Sequence, residues 1–337
     1  MLFRLSKISP LVTLDVQPDR LVLGQCGPRH DGLQRLTLEQ HRFPPTSVEA
    51  AGSDWFDIAC EQIEALGREG RFRRTRVAIG LPSSLVGLRH LRLAPLPEEE
   101  LPEAVRWQTA RELNQSIESL ETDFIDIGIT ERQGRRVREV VAASAMRSHL
   151  QRLTDLIASA GGSVQRIEPS LHAIDRAIEQ VYPIADLDAV MLLIVGERDS
   201  QLYLRDQQRP YLIRQLAMGF APHGQLNAPE ADWSMLEDCL VDELSREVQL
   251  ATYTVGDRWP DMPAVSRGVL ICEYGGPLAL ATRLSQRCGL AIVNAEIPGR
   301  CGELVIGREA SAVRSTAGLA AIGLALEEGD YQARTAA

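Results

Sequence analysis

Side chains able to carry catalysis are few and scattered in this 337-residue chain. Lys7 is the only lysine, and the other 35 of its 36 basic residues are arginine. Chemistry built on a buried lysine, such as a P-loop, a kinase strand lysine or a Schiff base, has almost nowhere to sit. The six histidines, His30, His41, His90, His149, His172 and His223, lie far apart with no paired nucleophile. The six cysteines, Cys26, Cys60, Cys239, Cys272, Cys288 and Cys301, show no C-x-x-C spacing and read as reduced thiols, with no metal site. No G-x-S-x-G, G-x-G-x-x-G or H-E-x-x-H occurs, which removes the common hydrolase, dinucleotide and zinc-protease signals. Two features keep a second reading. Glu168-Pro169 is ordinary helix-start chemistry or a catalytic carboxylate. The run Arg68, Arg71, Arg73, Arg74, Arg76 is a solvated helix end and loop, or a contact for anionic lipid headgroups.

Composition narrows the classes further. Acidic residues outnumber basic ones 46 to 36, a net charge of −10, so the basic footprint of nucleic-acid binding is missing. Hydrophobic residues at 45% and charged residues at 24% are ordinary for a globular chain long enough for two domains. The opening MLFRLSKISP lacks the apolar core and cleavage site of a signal peptide. The apolar stretch Ser315–Leu326 is too short to span a bilayer. The expectation is a soluble, cytoplasmic protein without a transmembrane segment of its own.

Periodicity supplies the elements. Leu11–Val16 and Leu21–Cys26 read as strands around the turn Gln17-Pro18-Asp19, and Leu33–Gln40 as a weaker third. Trp55, Ile58, Ala59, Ile63 and Leu66 recur at helical spacing behind Ser53 as N-cap, and Val77–Leu81 is a short apolar strand. The same order returns with strands at Asp188–Val195, Gln201–Leu204 and Arg209–Arg214, a helix carrying Trp233, Leu236, Leu240, Leu244 and Val248, and a strand at Gly268–Cys272. Between the halves lies an insert. Its first helix starts at the acidic Glu98-Glu99-Glu100 and carries Leu101, Val105, Trp107, Ala110 and Leu113. Strands at Asp123–Ile127 and Val137–Ala143 follow, then a helix from Arg147 ending at Gly161-Gly162.

A duplicated strand-strand-strand-helix-strand order is the layout of the actin-like, ribonuclease H-like α/β fold. Within it the chain resembles the PilM family of type IV pilus assembly proteins, related to FtsA. The segments that carry the resemblance are Leu93-Ala94-Pro95-Leu96-Pro97 through Trp107, Asp123-Phe124, Val140–Ser144, Arg166–Pro169, Val269–Leu284 and Gly318–Leu326. It implies a first actin-like domain at 1–80 plus 161–186, an inserted subdomain at 81–160 and a second actin-like domain at 187–337.

Function follows from the resemblance. It implies a cytoplasmic scaffold, peripheral to the inner membrane, that binds the cytoplasmic N-terminal segment of a PilN-like bitopic protein in a groove near the insert. Trp107 is the single-site candidate for that contact, although its helical spacing also suits a core position. Actin-like ATPases hold ATP and magnesium between two D-x-G-[ST] hairpins, and here those motifs are degenerate. Asp15 stands in the first, but Gln17 takes the glycine position and Pro18 offers no N–H. Gly196 stands in the second, with Ile194 in the aspartate position and Glu197 facing the phosphate region; at the adenosine loop Gly275 and Gly276 remain. Asp15 is thus a residual magnesium-positioning group or a strand-end aspartate capping its turn. The resemblance therefore implies a pseudo-ATPase with no cofactor, or with ATP or ADP and magnesium held only weakly. The alternatives are a working ATPase or sugar kinase, and the equivalent subunit of a type II secretion or related pilus platform.

Overall fold

The computed structural model describes residues 9–43, 55–132, 134–182, 188–196, 199–207, 209–220, 233–260, 262–272, 279–307 and 315–326. The first unit opens with an antiparallel meander of β1 (Leu11–Gln17), β2 (Arg20–His30) and β3 (Leu33–Arg42). The Asp31-Gly32 tip takes positive φ at both residues, 51° and 77°, as a two-residue hairpin requires. Helix α1 (Trp55–Arg68) buries Phe56, Ala59, Ile63 and Leu66 and returns the chain to β4 (Arg76–Leu81), which runs parallel to β1 with Leu14 opposite Ile79.

The insert follows. Strands β5 (Val86–Leu93), β6 (Leu120–Arg132) and β7 (Arg135–Met146) form a sheet of order β5-β7-β6, and α2 (Leu101–Leu113) covers one face. The residues of α2 that go inside are Leu101, Val105, Thr109 and Ala110. Trp107 is 61% exposed, so the core position its spacing allowed is not taken. The buried stripe advances in steps of four from Leu101, which leaves a residue six positions on facing away.

Helix α3 (Arg147–Ser159) packs beside α1, and β8 (Ser163–Pro169) joins the first sheet parallel to β4. Helix α4 (Ser170–Val181) then leads to the second unit. There β9 (Ala189–Val195), β10 (Ser200–Arg205) and β11 (Pro210–Leu216) repeat the meander. Helix α5 (Trp233–Arg258) connects to β12 (Val265–Cys272), parallel to β9; α6 (Ala279–Cys288) and β13 (Ala291–Asn294) complete the sheet β11-β10-β9-β12-β13. The expected order is therefore present twice.

The last residues cross back. Strands β14 (Arg300–Cys301) and β15 (Leu304–Ile306) extend the first sheet beside β3, giving β14-β15-β3-β2-β1-β4-β8. Helix α7 (Ser315–Ala325) lies with α4 between the two sheets, against β1, β2 and β4. Strands β14 and β15 and helix α7 thus pack with the first sheet. Helix α7 is apolar on all sides because every side is covered. At the crossing, a Cβ on Gly323 would lie 1.7 Å from the Ala173 carbonyl oxygen, so only glycine permits this approach.

The insert is tied to the second unit as well as to the first. Ile127 and Val141 enter the core containing Tyr211 and Trp259, and the Arg209 guanidinium stacks on both rings while donating to the Ile127 carbonyl at 3.1 Å. Buried Glu139 lies 2.6 Å from His90 Nε2 and accepts from Arg258 Nη1 at 3.3 Å. Burial pushes the Glu139 carboxyl up, but His90 and Arg258 outweigh it and hold it below the usual range.

Candidate functional site

Helix α4 begins at the C-terminal ends of β4 and β8, and its first two turns serve two different places. On one side lies Asp15, at the end of β1. Its carboxylate is fully buried and already engaged: Gln17 Nε2 donates to one oxygen at 2.8 Å and Ser170 Oγ to the other at 2.5 Å. A Cβ at Gly80 would sit 2.7 Å from the same carboxylate, so the glycine lets β4 pass close over it. Gln17, in the position where a glycine would open the hairpin, instead folds its amide back onto the aspartate. The arrangement is a closed polar knot under the helix start.

Gly196, at the end of β9, has both backbone groups occupied within its own half. Its N–H donates to the Asp199 carbonyl at 2.9 Å and its carbonyl accepts from Phe220 N–H at 3.1 Å. Gly275 and Gly276 lie outside the described residues. Among the described residues, no group of three or more His, Cys, Asp or Glu side chains is placed to hold a metal ion. Trp107 stands exposed on the outer face of α2.

On the other side of the α4 start is a groove of about 720 Å³. One wall is the insert, with Glu121–Asp126 of β6 and Ala143, Ser144 and Ala145 of β7; the other is Arg166–Pro169 of β8 with His172 and Arg176 of α4. Among the described residues strand β6 is an edge of its sheet, paired with β7 alone. The Phe124 N–H is taken by the neighbouring Asp123 carboxylate at 2.9 Å rather than by a further strand. Such an edge accepts an extended chain by backbone pairing.

The opposite wall is rigid. Glu168 accepts from Arg166 Nε at 3.0 Å and from Arg176 Nη1 at 2.7 Å. Both arginines also reach the C-terminal carbonyls of α7: Arg176 donates to Gly323 at 3.2 Å and Arg166 to Leu326 at 3.2 Å. Two cations thus close a helix C-terminus, where the dipole favours them. Burial pushes Glu168 up, but its bonds and charge contacts with Arg176 and Arg166 hold its carboxyl below the usual range. Glu168 is accordingly a structural anchor, not a free acid. His172 is the unsatisfied member, since its Nε2 is buried without a hydrogen-bond partner. Burial holds this imidazole below the usual histidine range against the pull of Glu168 and Asp175, so it is neutral near pH 7.

None of Asp15, Gly196 and Trp107 lines the groove; of the residues that do, Glu168 alone was weighed for a chemical role, and the others carry no such motif-level signal. The available signal was a histidine and an arginine at positions 172 and 176 in a helix otherwise apolar enough for a core, four apart and therefore on one face.

No protein-family model matches the sequence, and no curated protein matches it. Solved structures do. The chain is similar to the type IV pilus biogenesis complex PilM-PilN, with TM-score 0.67 and 18% identity over 94% of this chain and 97% of that one. It is also similar to a Bacteroides thetaiotaomicron protein with an actin-like ATPase fold and unknown function, with TM-score 0.52 and 10% identity over 97% of this chain and all of the other. The cytoplasmic domain of Epsl, an inner membrane component of the Vibrio cholerae type II secretion system, aligns over 62% of this chain at TM-score 0.39 and 13% identity, a likeness that decides nothing. The fold is actin-like.

Proposed function

We propose that this chain is an actin-like scaffold of a type IV pilus-type inner-membrane assembly platform, and that it captures a short extended segment of a membrane-anchored, PilN-like partner. The observation that carries the reading is the groove between β6 and the start of α4. It offers an unpartnered sheet edge, an apolar floor and one buried, unsatisfied imidazole on a wall locked by Glu168, Arg166 and Arg176. An extended peptide would add to the edge strand through its backbone and place alternate side chains against Ile125, Ala143 and Ala145. The full-length likeness to the PilM-PilN complex supports this choice of partner. Among the described residues no helix is long and apolar enough to cross a membrane, so the reading places the chain at the membrane through what it binds.

The same reading makes the protein a non-hydrolysing member of its fold. Phosphoryl transfer depends on preorganised backbone donors and magnesium-ordering carboxylates. Asp15 is buried and bonded to Gln17 and Ser170, Pro18 has no N–H, and Ile194 stands where the second carboxylate would be. Phosphate release with magnesium and ATP is expected at the no-protein background.

The experiment is a binding titration by fluorescence anisotropy, using labelled peptides from the cytoplasmic N-terminal segment of a PilN-like bitopic membrane protein. Saturable binding is expected. Ile125→Arg, on the groove side of β6, should weaken it at least about tenfold by placing an unpaired charge against the apolar floor. Ile129→Arg, on an exposed part of the same strand, should leave it unchanged. No binding, or equal loss in both variants, would sink the groove assignment.

A further inference from the structure

Helix α5 packs on its own sheet through Leu240, Leu244, Val248, Ala251 and Val255, all of them buried. Its polar flanks are used within the fold. Asp238 and Asp242 pair with Arg283 and Arg287 of α6, Gln249 Nε2 donates to the Arg287 carbonyl at 3.3 Å, and Arg214 Nη1 donates to Glu247 at 2.7 Å. The face opposite the buried one carries Arg246, Leu250, Tyr253 and Asp257, spaced four, three and four residues apart. That spacing keeps them on one stripe, as in the seam between two paired helices.

Two observations set this stripe apart. Leu250 is 48% exposed and Tyr253 75%, and among the described residues they are the only two exposed large apolar side chains that share an element. Arg246 and Asp257, which bracket them, are exposed, and among the described residues neither has an ion-pair partner. Asp257 also lies in the last turn of its helix, where the dipole disfavours an anion. The helix by itself gives no reason for a carboxylate there.

We infer that this stripe is a self-association surface, on which α5 of a second copy of this chain lies antiparallel. With a two-fold axis midway between Leu250 and Tyr253, Leu250 of each copy faces Tyr253 of the other. The same register brings Arg246 of each copy to Asp257 of the other, so two ion pairs close the ends of the apolar seam. Within one chain Arg246 and Asp257 stand eleven residues apart, about 16 Å along the helix, too far to pair with each other. Only a second helix completes them. A parallel arrangement would set arginine on arginine and aspartate on aspartate, so the charges select the antiparallel one. The seam is smaller than a standard interface, which makes the association weak and reversible. It needs neither the groove nor the peptide, and stands apart from the proposed function.

The test is sedimentation equilibrium of the full chain from about 1 µM to about 500 µM, a range that spans weak affinities. The apparent mass is expected to rise with concentration from that of one copy toward that of two. Arg246→Asp sets carboxylate against carboxylate at both ends of the seam and should weaken association at least about tenfold, as should Asp257→Arg with its paired arginines. Combining the two substitutions reverses both ion pairs and should restore association to within about threefold of the wild type, a coupling that only contact between copies can produce. Tyr253→Ser, with no change of charge, should weaken association about tenfold. Val293→Ser, at an exposed apolar residue of β13, should associate as the wild type does. All these positions are on the surface, so an unchanged thermal unfolding midpoint confirms the fold of each variant. A chain that stays a single copy over the whole range, association untouched by Arg246→Asp, a combined variant that is not restored, or equal loss in Val293→Ser would overturn the inference.

Discussion

Ser170 and His172 sit two residues apart at the start of one helix, yet they border opposite kinds of space. Ser170 points into the Asp15 knot, where each carboxylate oxygen has a donor within 2.8 Å and no surface is exposed. His172 lines a groove of about 720 Å³ with its Nε2 unsatisfied. In an actin-like fold the first place is where a nucleotide would be approached, and the second is the junction with an insert. Several buried side-chain atoms lack a hydrogen-bond partner among the described residues, and His172 Nε2 is the one of them that belongs to a groove-lining residue. One place is closed by the chain's own side chains, and the other is an open groove.

The most severe way to break this contrast is to move α4, because both places depend on it. Gly323→Ala puts a methyl group 1.7 Å from the Ala173 carbonyl, a backbone contact that no rotamer relieves. Overpacking of this kind costs about 3 kcal/mol or more. The expected result is a large drop in the urea midpoint and loss of peptide binding together. A stable variant that still binds peptide would show that the α4–α7 crossing does not set the groove.

A milder break removes only the rigid wall. Glu168→Gln leaves Arg166 and Arg176 without their shared carboxylate and should cost about 2–3 kcal/mol near neutral pH. Glu168 ionises below its ordinary value of 4.5 in the folded state. Its contribution is therefore complete above that value and disappears as pH falls through the lower folded-state value. The stability gap between wild type and Glu168→Gln should close as pH drops below about 4.5, measured by urea titration at each pH. A gap that persists unchanged in acid would mean the carboxylate's charge is not what matters.

The contrast also separates what the sequence displayed from what it hid. Strand β9 announced itself as seven consecutive buried apolar residues, and both meanders were bounded by turn residues. Strand β8 was hidden, because Ser163–Pro169 mixes Gln165, Arg166 and Glu168 into a strand that is only half-buried. β14 and β15 are two and three residues long and exist only because β3 offers an edge, so no local pattern could reveal them. Asp15 was legible from its motif, but its closure needed the long-range partner Ser170. The groove was the least legible. Its walls come from residues 121–126 and 166–176, which meet only after the insert folds back. The stripe containing Trp107 misled for the opposite reason, since helical spacing says that one face is buried without saying which.

The smallest expected effect comes from reopening the closed site. Gln17→Gly with Pro18→Ser restores a glycine and a backbone N–H to the first hairpin and removes the amide that donates to Asp15 at 2.8 Å. One lost hydrogen bond on a buried carboxylate costs about 1–2 kcal/mol, readable as a modest fall in the urea midpoint. Catalysis should not follow. Ser170 still holds the other Asp15 oxygen at 2.5 Å, and Ile194 still leaves the second hairpin without a carboxylate. Groups that act as a unit in phosphoryl transfer give little when only one is restored. Phosphate release with magnesium and ATP should stay at the no-protein background in the double variant, as in the wild type, while peptide affinity remains unchanged because the groove is built from other residues. Release that rises clearly above background, and is abolished by a further Asp15→Ala, would mean that the cleft was one loop away from function rather than closed at several points.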